Sequence, residues 1–134
     1  MHLQAAKRVL RYLKGTIDYG IFYKKNRNKQ LIALTDSDYA GDIEDKRSTF
    51  GYVFMLSGGA VSWSSKKQPI VTLSTTEAEF VAAAACACQA VWMGRILEKL
   101  NHAQDGCTTL MCDNNSTIKL SRNPICMDVA NTLM

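Results

Sequence analysis

Three stretches of the chain place apolar side chains at helical spacing. Residues 3–14 form an amphipathic pattern with one apolar stripe, and residues 115–121 predict a short third helix. Between them, residues 72–100 predict a long helix that is apolar on all sides as far as Trp92. We expect this helix to be buried between a sheet and another layer, with Trp63 and Trp92 in the core.

Runs rich in β-branched and aromatic residues predict four strands. They cover residues 31–38, 48–56, 60–64 and 108–112, and a shorter strand is expected at 20–24. Residues 57–59 (Ser-Gly-Gly) predict a hairpin turn, and the run Lys66, Lys67, Gln68 and Pro69 predicts the end of the third strand. After this antiparallel meander the order is helix, strand, helix. That order predicts an α/β fold with a mixed sheet, a right-handed crossover and a fourth strand parallel to the first.

Positive charge is concentrated at the start of the chain. Residues 1–29 hold eight Lys or Arg and a single acid, whereas residues 30–134 hold eight Lys or Arg and eleven acids, for a net charge of +4. A basic arm beside clustered acids suits a polyanion whose chemistry uses cations, whereas the charge taken alone slightly favours a solvated basic helix. The candidates for phosphate contacts are Lys7, Arg8, Arg11, Lys24, Lys25 and Arg27.

The five cysteines contain no C-x-x-C pair, and His2 and His102 have no companions at ligand spacing. Neither a disulfide framework nor a zinc knuckle fits, so we expect buried thiols in a reducing intracellular compartment, the cytoplasm or the nucleus. The start of the chain lacks the apolar core of a signal peptide, and the run at 80–94 is too short and too weakly apolar to span a bilayer. No membrane partner is expected.

Two carboxylates lie in the first turns of the long helix. Ser74 and Glu77 have the spacing of a capping box, in which each side chain satisfies one unpaired amide of the helix. That pattern assigns Glu77 a structural role and leaves Glu79 without a local partner. A carboxylate at the mouth of a buried helix needs a counter-charge, which a metal ion or another cation would supply.

Asp36 and Asp113 end the first and fourth strands. If these strands are adjacent and parallel, their carboxyl ends place the two side chains together, and the helix N-terminus brings Glu79 to the same point. Three carboxylates this close require a cation, and hard oxygen ligands suit Mg²⁺. Two such ions about 3.5–4 Å apart would hold the attacking water and the leaving oxygen of a phosphodiester. The alternatives are a turn residue for Asp36 and an N-cap for Asp113.

Other polar residues near these acids have two interpretations each. Lys66 and Lys67 contact a nucleic-acid backbone or form a solvated hairpin end. Asn114 and Asn115 reach sugar hydroxyls or belong to a turn. Asp38 is expected to act as a cap or to make another hydrogen bond.

Four segments resemble the ribonuclease H domain of copia-type retrotransposon polyproteins: TDSDYAGD (35–42), KRSTFGYVFMLSGGAVSWSSKKQ (46–68), LSTTEAEFVA (73–82) and CDNNSTI (112–118). The resemblance implies a ribonuclease H-like fold and Mg²⁺-dependent hydrolysis of the RNA strand of an RNA–DNA hybrid, with Mn²⁺ as a substitute metal. The family's catalytic, metal-binding acids fall on Asp36, Glu79 and Asp113.

The beginning of the chain carries a further resemblance. RVLRYLKGT (8–16) is similar to the segment that joins the family's reverse transcriptase to its ribonuclease H domain. Residues 1–16 are therefore expected to connect to an upstream reverse transcriptase of the same polyprotein. Residues 17–134 are expected to form the ribonuclease H-like domain.

The family's fourth acid has no counterpart in this sequence. In the family a closing helix with a His and a further acid follows Asn-Pro, whereas here the chain reads NPICMDVANTLM over residues 123–134. Asp128 lies too close to Asn123-Pro124 to take that place. We therefore expect the final helix to be missing, one metal to bind weakly and the nuclease activity to be low or absent. The alternative functions are a catalytically inactive nucleic-acid-binding remnant and a relic that folds poorly.

Overall fold

The computed structural model describes residues 2–25 and 30–122. Three helices and four strands occur in the order α1 (His2–Gly15), β1 (Leu31–Ser37), β2 (Thr49–Leu56), β3 (Gly59–Lys67), α2 (Thr75–Lys99), β4 (Thr109–Met111) and α3 (Asn115–Arg122). The three predicted helices are confirmed, as are four of the five predicted strands. Arg27, Asp128, the Asn123-Pro124 stop and the predicted loss of a final helix lie outside the described residues.

The four strands form one mixed sheet in the order β3-β2-β1-β4. The β1–β2 and β2–β3 pairs are antiparallel, and β4 runs parallel to β1, with Leu110 opposite Ala33. This confirms the predicted α/β fold, an antiparallel meander followed by a parallel strand, and is compatible with a ribonuclease H-like fold. Because β1 and β4 are parallel neighbours, Asp36 and Asp113 lie at the same end of the sheet.

A two-residue turn joins β2 to β3. Ser57 (φ 52°) and Gly58 (φ 82°) both have positive φ, the geometry that matches the twist of a tight hairpin. β3 then continues to Lys67, which lies opposite Thr49 on β2. The predicted strand end at Ser64 is three residues too early, because β3 is an edge strand of the sheet and lysines are common on such edges. The strand ends directly before Gln68 and Pro69, within the run that was predicted to stop it.

The predicted strand at 20–24 is also wrong, since none of these residues belongs to a strand. The segment is held by its side chains instead. The hydroxyl of Tyr23 donates a hydrogen bond of 2.7 Å to the carbonyl oxygen of Ala60. Its ring fills the space above Gly59, where a Cβ atom would meet Ile21 and Tyr23.

The core lies between one face of the sheet and one side of α2. Leu31, Ala33 and Phe54 from the sheet pack against the α2 side chains that face them, Cys86, Ala90 and Leu97. The outer side of α2 is exposed, and no second layer covers it within residues 2–25 and 30–122. The expectation of two buried tryptophans is wrong, because Trp92 on α2 is 52% exposed and Trp63 on β3 is 65% exposed.

α2 has 25 residues, and an 18-residue window within it has a mean hydropathy of 1.5. By length and composition it is therefore long and apolar enough to cross a membrane, contrary to the expectation from residues 80–94 alone. In this fold its buried residues face the sheet.

The two cysteines of α2, Cys86 and Cys88, lie on different faces of the helix as predicted. Of the four cysteines that the structure describes, only Cys86 is buried. The prediction of buried thiols is therefore wrong for Cys88 and Cys107, which are exposed.

Candidate metal centre

The N-terminus of α2 is capped by side chains of neighbouring residues in the sequence. The backbone N–H of Glu77 donates a hydrogen bond of 3.1 Å to Oγ of Ser74, the N-cap residue. The Glu77 carboxylate accepts a hydrogen bond of 2.6 Å from the backbone N–H of Leu73, one residue before the partner that a capping box predicts. Glu77 therefore has the structural role that was predicted, and Glu79 is not needed for the cap.

Glu79 is only 6% exposed and lies against the ends of β1 and β4. Its Oε1 accepts a hydrogen bond of 3.3 Å from the backbone N–H of Ser37, the last residue of β1. Its Oε2 accepts a hydrogen bond of 3.7 Å from Sγ of Cys112, the residue after β4. One carboxylate thus spans the two parallel strands that carry Asp36 and Asp113.

Burial raises the pKa of Glu79 above its ordinary value. The negative charges of Asp36 and Asp113 raise this pKa further, whereas the hydrogen bonds from Ser37 and Cys112 lower it. The net effect is a raised pKa, which means that the surroundings of Glu79 disfavour its ionised form. A cation among the three acids would stabilise that form.

Asp113 does not cap α3. The amide oxygen of Asn114 accepts a hydrogen bond of 3.0 Å from the backbone N–H of Thr117, so Asn114 has the N-cap role. The hydroxyl of Thr117 in turn donates a hydrogen bond of 3.0 Å to the carbonyl oxygen of Thr76, which fixes α3 against the first turn of α2. The Asp113 carboxylate is exposed and remains available for a ligand.

The structure brings two of the three predicted acids within reach of one ion. Ligand atoms of Glu79, Cys112 and Asp113 all lie within 4.8 Å of one another. Asp36 is not in this group, although its charge acts on Glu79 and its side chain is exposed. Asp36 and Asp113 line the same groove.

This groove lies on the open face of the sheet and has a volume of about 730 Å³. Its apolar part is formed by Leu34, Val53, Trp63 and Met111, and the acids lie beside them. The groove thus combines an apolar surface with two exposed carboxylates.

Gln68 and Cys112 are parts of the site that the sequence did not indicate. Gln68 is 1% exposed, and its Nε2 donates hydrogen bonds to the carbonyl oxygen of Ala78 (2.8 Å) and to Oγ of Ser37 (3.2 Å). These two acceptors directly precede Glu79 and directly follow Asp36. In the sequence, Gln68 looks like part of a polar strand end, and the only signal for Cys112 is its position before Asp113.

The remaining predicted residues lie around this centre. Oδ1 of Asp38 accepts a hydrogen bond of 2.6 Å from the backbone N–H of Thr49, which confirms its hydrogen-bonding role. Nζ of Lys67 forms ion pairs with Asp42 and, at 3.2 Å, with Asp45. Lys66 is exposed without such a pair among the described residues, and Asn115 is exposed at the start of α3.

The Asp42–Lys67 ion pair changes the pKa of both residues. The hydrogen bond from Lys67 is the main cause that lowers the pKa of Asp42 to about 2, and the carboxylates of Asp42 and Asp45 raise the pKa of Lys67. Lys67 therefore already has two anionic partners in the protein.

The donor set of the centre fits Mg²⁺ in part. Carboxylate oxygens from Glu79, Asp113 and Asp36 are ligands of the hard type that Mg²⁺ prefers. Burial is the main cause that raises the pKa of Glu79, and the charges of Asp36 and Asp113 act in the same direction, so a cation bound here would favour the ionised form. Sγ of Cys112 is a soft donor that suits other metals.

Comparison with known proteins places the chain among retroelement sequences. It is 43% identical to the retrovirus-related Pol polyprotein from transposon RE1 of Arabidopsis thaliana, over 92% of this chain and 8% of that protein. The corresponding polyprotein from transposon TNT 1-94 of Nicotiana tabacum is also 43% identical, over 91% of this chain and 9% of that protein.

Secreted RxLR effector protein 161 of Plasmopara viticola is 50% identical over 69% of this chain and 65% of that protein. No protein-family model matches the chain, and no solved structure matches it. The polyprotein alignments cover nearly all of the chain but only a small part of each polyprotein. The chain is therefore homologous to a segment of retrotransposon Pol polyproteins.

Proposed function

We propose that this chain is the ribonuclease H domain of a retrotransposon Pol polyprotein and hydrolyses the RNA strand of an RNA–DNA hybrid. The observation that carries the proposal is the position of Glu79. This buried carboxylate spans the ends of β1 and β4, lies within 4.8 Å of Asp113 through their ligand atoms, and is influenced by the charge of Asp36.

In this proposal the three acids hold Mg²⁺, or Mn²⁺ in its place. The bound metal would lower the pKa of a water molecule and stabilise charge on the phosphodiester. Glu79 contributes a carboxylate whose orientation is fixed by the Ser37 N–H. Asp36 and Asp113 contribute exposed carboxylates at the groove, where a phosphate can approach.

The hybrid is the proposed partner on charge and position. The basic residues of α1 (Lys7, Arg8, Arg11 and Lys14) are all exposed and suit phosphate contacts that do not depend on sequence. Lys66 lies on β3, whose Trp63 and Ser65 line the groove. The amide nitrogens of Asn114 and Asn115 are candidates for contacts to the 2′-hydroxyls that distinguish RNA from DNA.

A second candidate is binding of the hybrid without cleavage. It is favoured by the exposure of the basic face of α1 and by the size of the acidic centre, which among the described residues consists of three acids, Glu79 with Asp36 and Asp113. In either case a reverse transcriptase domain of the same polyprotein is the proposed partner. The compartment we propose is the cytoplasm or the nucleus.

Cleavage of an RNA–DNA hybrid by the purified chain tests the first candidate. In Mg²⁺ or Mn²⁺ we expect slow RNA-strand cleavage, in keeping with the missing fourth acid, that is lost in Asp36→Asn, with RNA–RNA and DNA–DNA duplexes left intact. Hybrid binding that weakens steeply with salt, without any cleavage, would support the second candidate and reject the first. Neither cleavage nor binding would reject both.

A further inference from the structure

A thiol lies inside the carboxylate cluster. Sγ of Cys112 is 3.7 Å from Oε2 of Glu79, and both atoms lie within 4.8 Å of a carboxylate oxygen of Asp113. The side chain of Cys112 is half-buried, whereas Asp113 is exposed. Three ligand atoms therefore surround a point that solvent can reach from the side of Asp113.

The spacing of these atoms fits a tetrahedral metal. In zinc sites the Zn–S distance is about 2.3 Å and the Zn–O distance is about 2.0–2.2 Å, so adjacent sulfur and oxygen ligands lie about 3.5 Å apart. The observed separation of 3.7 Å between Sγ and Oε2 is close to that value. Three protein ligands with one open position are the arrangement of zinc sites that keep a water or an exogenous ligand.

The sulfur determines which metal this set selects. Thiolate ligands favour Zn²⁺ and other soft or borderline cations, whereas Mg²⁺ takes oxygen ligands almost without exception. A set of one sulfur and two carboxylates is therefore a poor site for Mg²⁺ and a good one for Zn²⁺ or Cd²⁺.

We propose that Glu79, Cys112 and Asp113 form a binding site for a thiophilic divalent cation of the zinc class. When the cation binds, the Cys112 thiol gives its proton to the solvent and its sulfur becomes a ligand. Two of the three ligands are also acids of the proposed Mg²⁺ centre, so the two metals compete. This competition, which rests on the proposed function, makes zinc an inhibitor of hybrid cleavage.

Titration of the metal-free chain with Cd²⁺ tests the site without nucleic acid. Cadmium is a spectroscopic substitute for zinc, because a cadmium–thiolate bond has a charge-transfer band in the ultraviolet. We expect this band to appear and to saturate at one cadmium per chain. Cys112→Ser should abolish the band and weaken Cd²⁺ binding by more than about 10–100-fold, the loss seen when only an outer partner of a metal ligand is removed.

Two exposed cysteines provide matched controls. Cys88→Ser and Cys107→Ser remove thiols that are more accessible than Cys112 and should leave the band and the affinity unchanged. Asp113→Asn keeps the thiol and should still reduce the affinity, which covers the case in which Cys112→Ser does not fold. A wild-type chain without the band, or a Cys112→Ser variant that keeps it, would overturn the proposal.

Activity separates this inference from the proposed function. If the chain cleaves hybrid in Mg²⁺, micromolar zinc should inhibit the wild type, and Cys112→Ser should cleave with reduced sensitivity to zinc. A chain that binds cadmium through Cys112 but cleaves nothing would keep the metal site and reject the nuclease. A chain that cleaves and shows no cadmium–thiolate band would do the reverse.

Discussion

The side-chain amide of Gln68 donates a hydrogen bond of 2.8 Å to the carbonyl oxygen of Ala78, the residue that precedes Glu79. The same Nε2 atom donates to Oγ of Ser37 at 3.2 Å. Gln68 therefore connects the end of β1 to the first turn of α2, and these two elements carry Asp36 and Glu79. Its side-chain oxygen Oε1 is buried and has no hydrogen-bond partner among the described residues, so the two hydrogen bonds of Nε2 are the polar contacts that orient the side chain.

Replacement of Gln68 should loosen the metal centre. We expect Gln68→Ala to fold with a loss of about 1–3 kcal/mol of stability, since it removes the two hydrogen bonds of a buried side chain, each worth about 0.5–1.5 kcal/mol. The dissociation constant for Mn²⁺, measured by calorimetry, should rise about 10–100-fold, the usual effect of removing a group that orients a metal ligand.

Gln104 offers a matched control for this experiment. Its Oε1 accepts a hydrogen bond of 2.6 Å from the backbone N–H of Leu31, at the other end of β1. Gln104→Ala should therefore reduce stability without a change in Mn²⁺ affinity. Equal effects of the two variants on Mn²⁺ binding would mean that Gln68 acts only through stability.

Glu79 should reduce the stability of the metal-free protein at neutral pH. Its pKa is raised in the folded state, so the folded chain holds the proton more tightly than the unfolded chain, and stability falls as the pH rises through the folded pKa. Glu79→Gln removes this ionisation and keeps an acceptor for the Ser37 N–H. Its free energy of unfolding should exceed that of the wild type at neutral pH.

The difference should disappear below the ordinary pKa of 4.5, where both states of the wild type are protonated. Chemical denaturation in the presence of a chelator, repeated across this range of pH, measures it. Addition of Mn²⁺ should then stabilise the wild type more than Glu79→Gln, by mass action on the folded state. A gain in stability for the variant that is the same at acid and neutral pH would contradict this account.

The sequence predicted the fold because its main elements have clear periodicities, and because β1 and β4 became parallel neighbours as the element order implied. The sequence also distinguished the capping role of Glu77 from the candidate ligand Glu79, because the Ser74 cap is a local pattern. The contacts of Gln68 with Ala78 and of Cys112 with Glu79 join residues 10 and 33 positions apart. Such contacts follow from packing, which no local pattern reveals.

The exposure of Trp63 and Trp92 could not be predicted for a related reason. An apolar side chain indicates a preference for burial, but the layer that would bury it is decided elsewhere in the fold. α2 is apolar on all sides, and the sheet covers one of them. The role of Asn114 as the N-cap of α3 could, in contrast, have been predicted from the local sequence, because Asn is among the best N-cap residues.

Asp113 and Asn114 are adjacent in sequence but should have separable roles. Asn114→Ala removes the N-cap of α3 and should cost about 1 kcal/mol of stability, with Mn²⁺ affinity retained. Asp113→Asn should have the opposite profile, with little loss of stability and weaker Mn²⁺ binding, because its exposed carboxylate is a ligand and not a cap. Thermal unfolding and Mn²⁺ calorimetry on both variants measure the two effects, and loss of Mn²⁺ binding in Asn114→Ala alone would reverse the assignment.

The two lysines at the end of β3 should differ in their contribution to hybrid binding. Lys67 has anionic partners in Asp42 and Asp45, so its charge is largely compensated before a nucleic acid arrives. Lys66 has no such partner among the described residues. Lys66→Ala should therefore weaken hybrid binding and lower the slope of log affinity against log salt by about one, as expected for the loss of one phosphate contact.

Lys67→Ala should change this slope less than Lys66→Ala, and fluorescence anisotropy with a labelled hybrid at several salt concentrations measures both. The double variant Asp42→Ala with Asp45→Ala provides the control. It releases Lys67 from its ion pairs and should strengthen binding, because the side chain becomes available and the two negative charges beside it are removed. If Lys66→Ala leaves the slope unchanged while Lys67→Ala lowers it, the ion pairs do not determine which lysine meets the phosphate, and the end of β3 must rearrange when the hybrid binds.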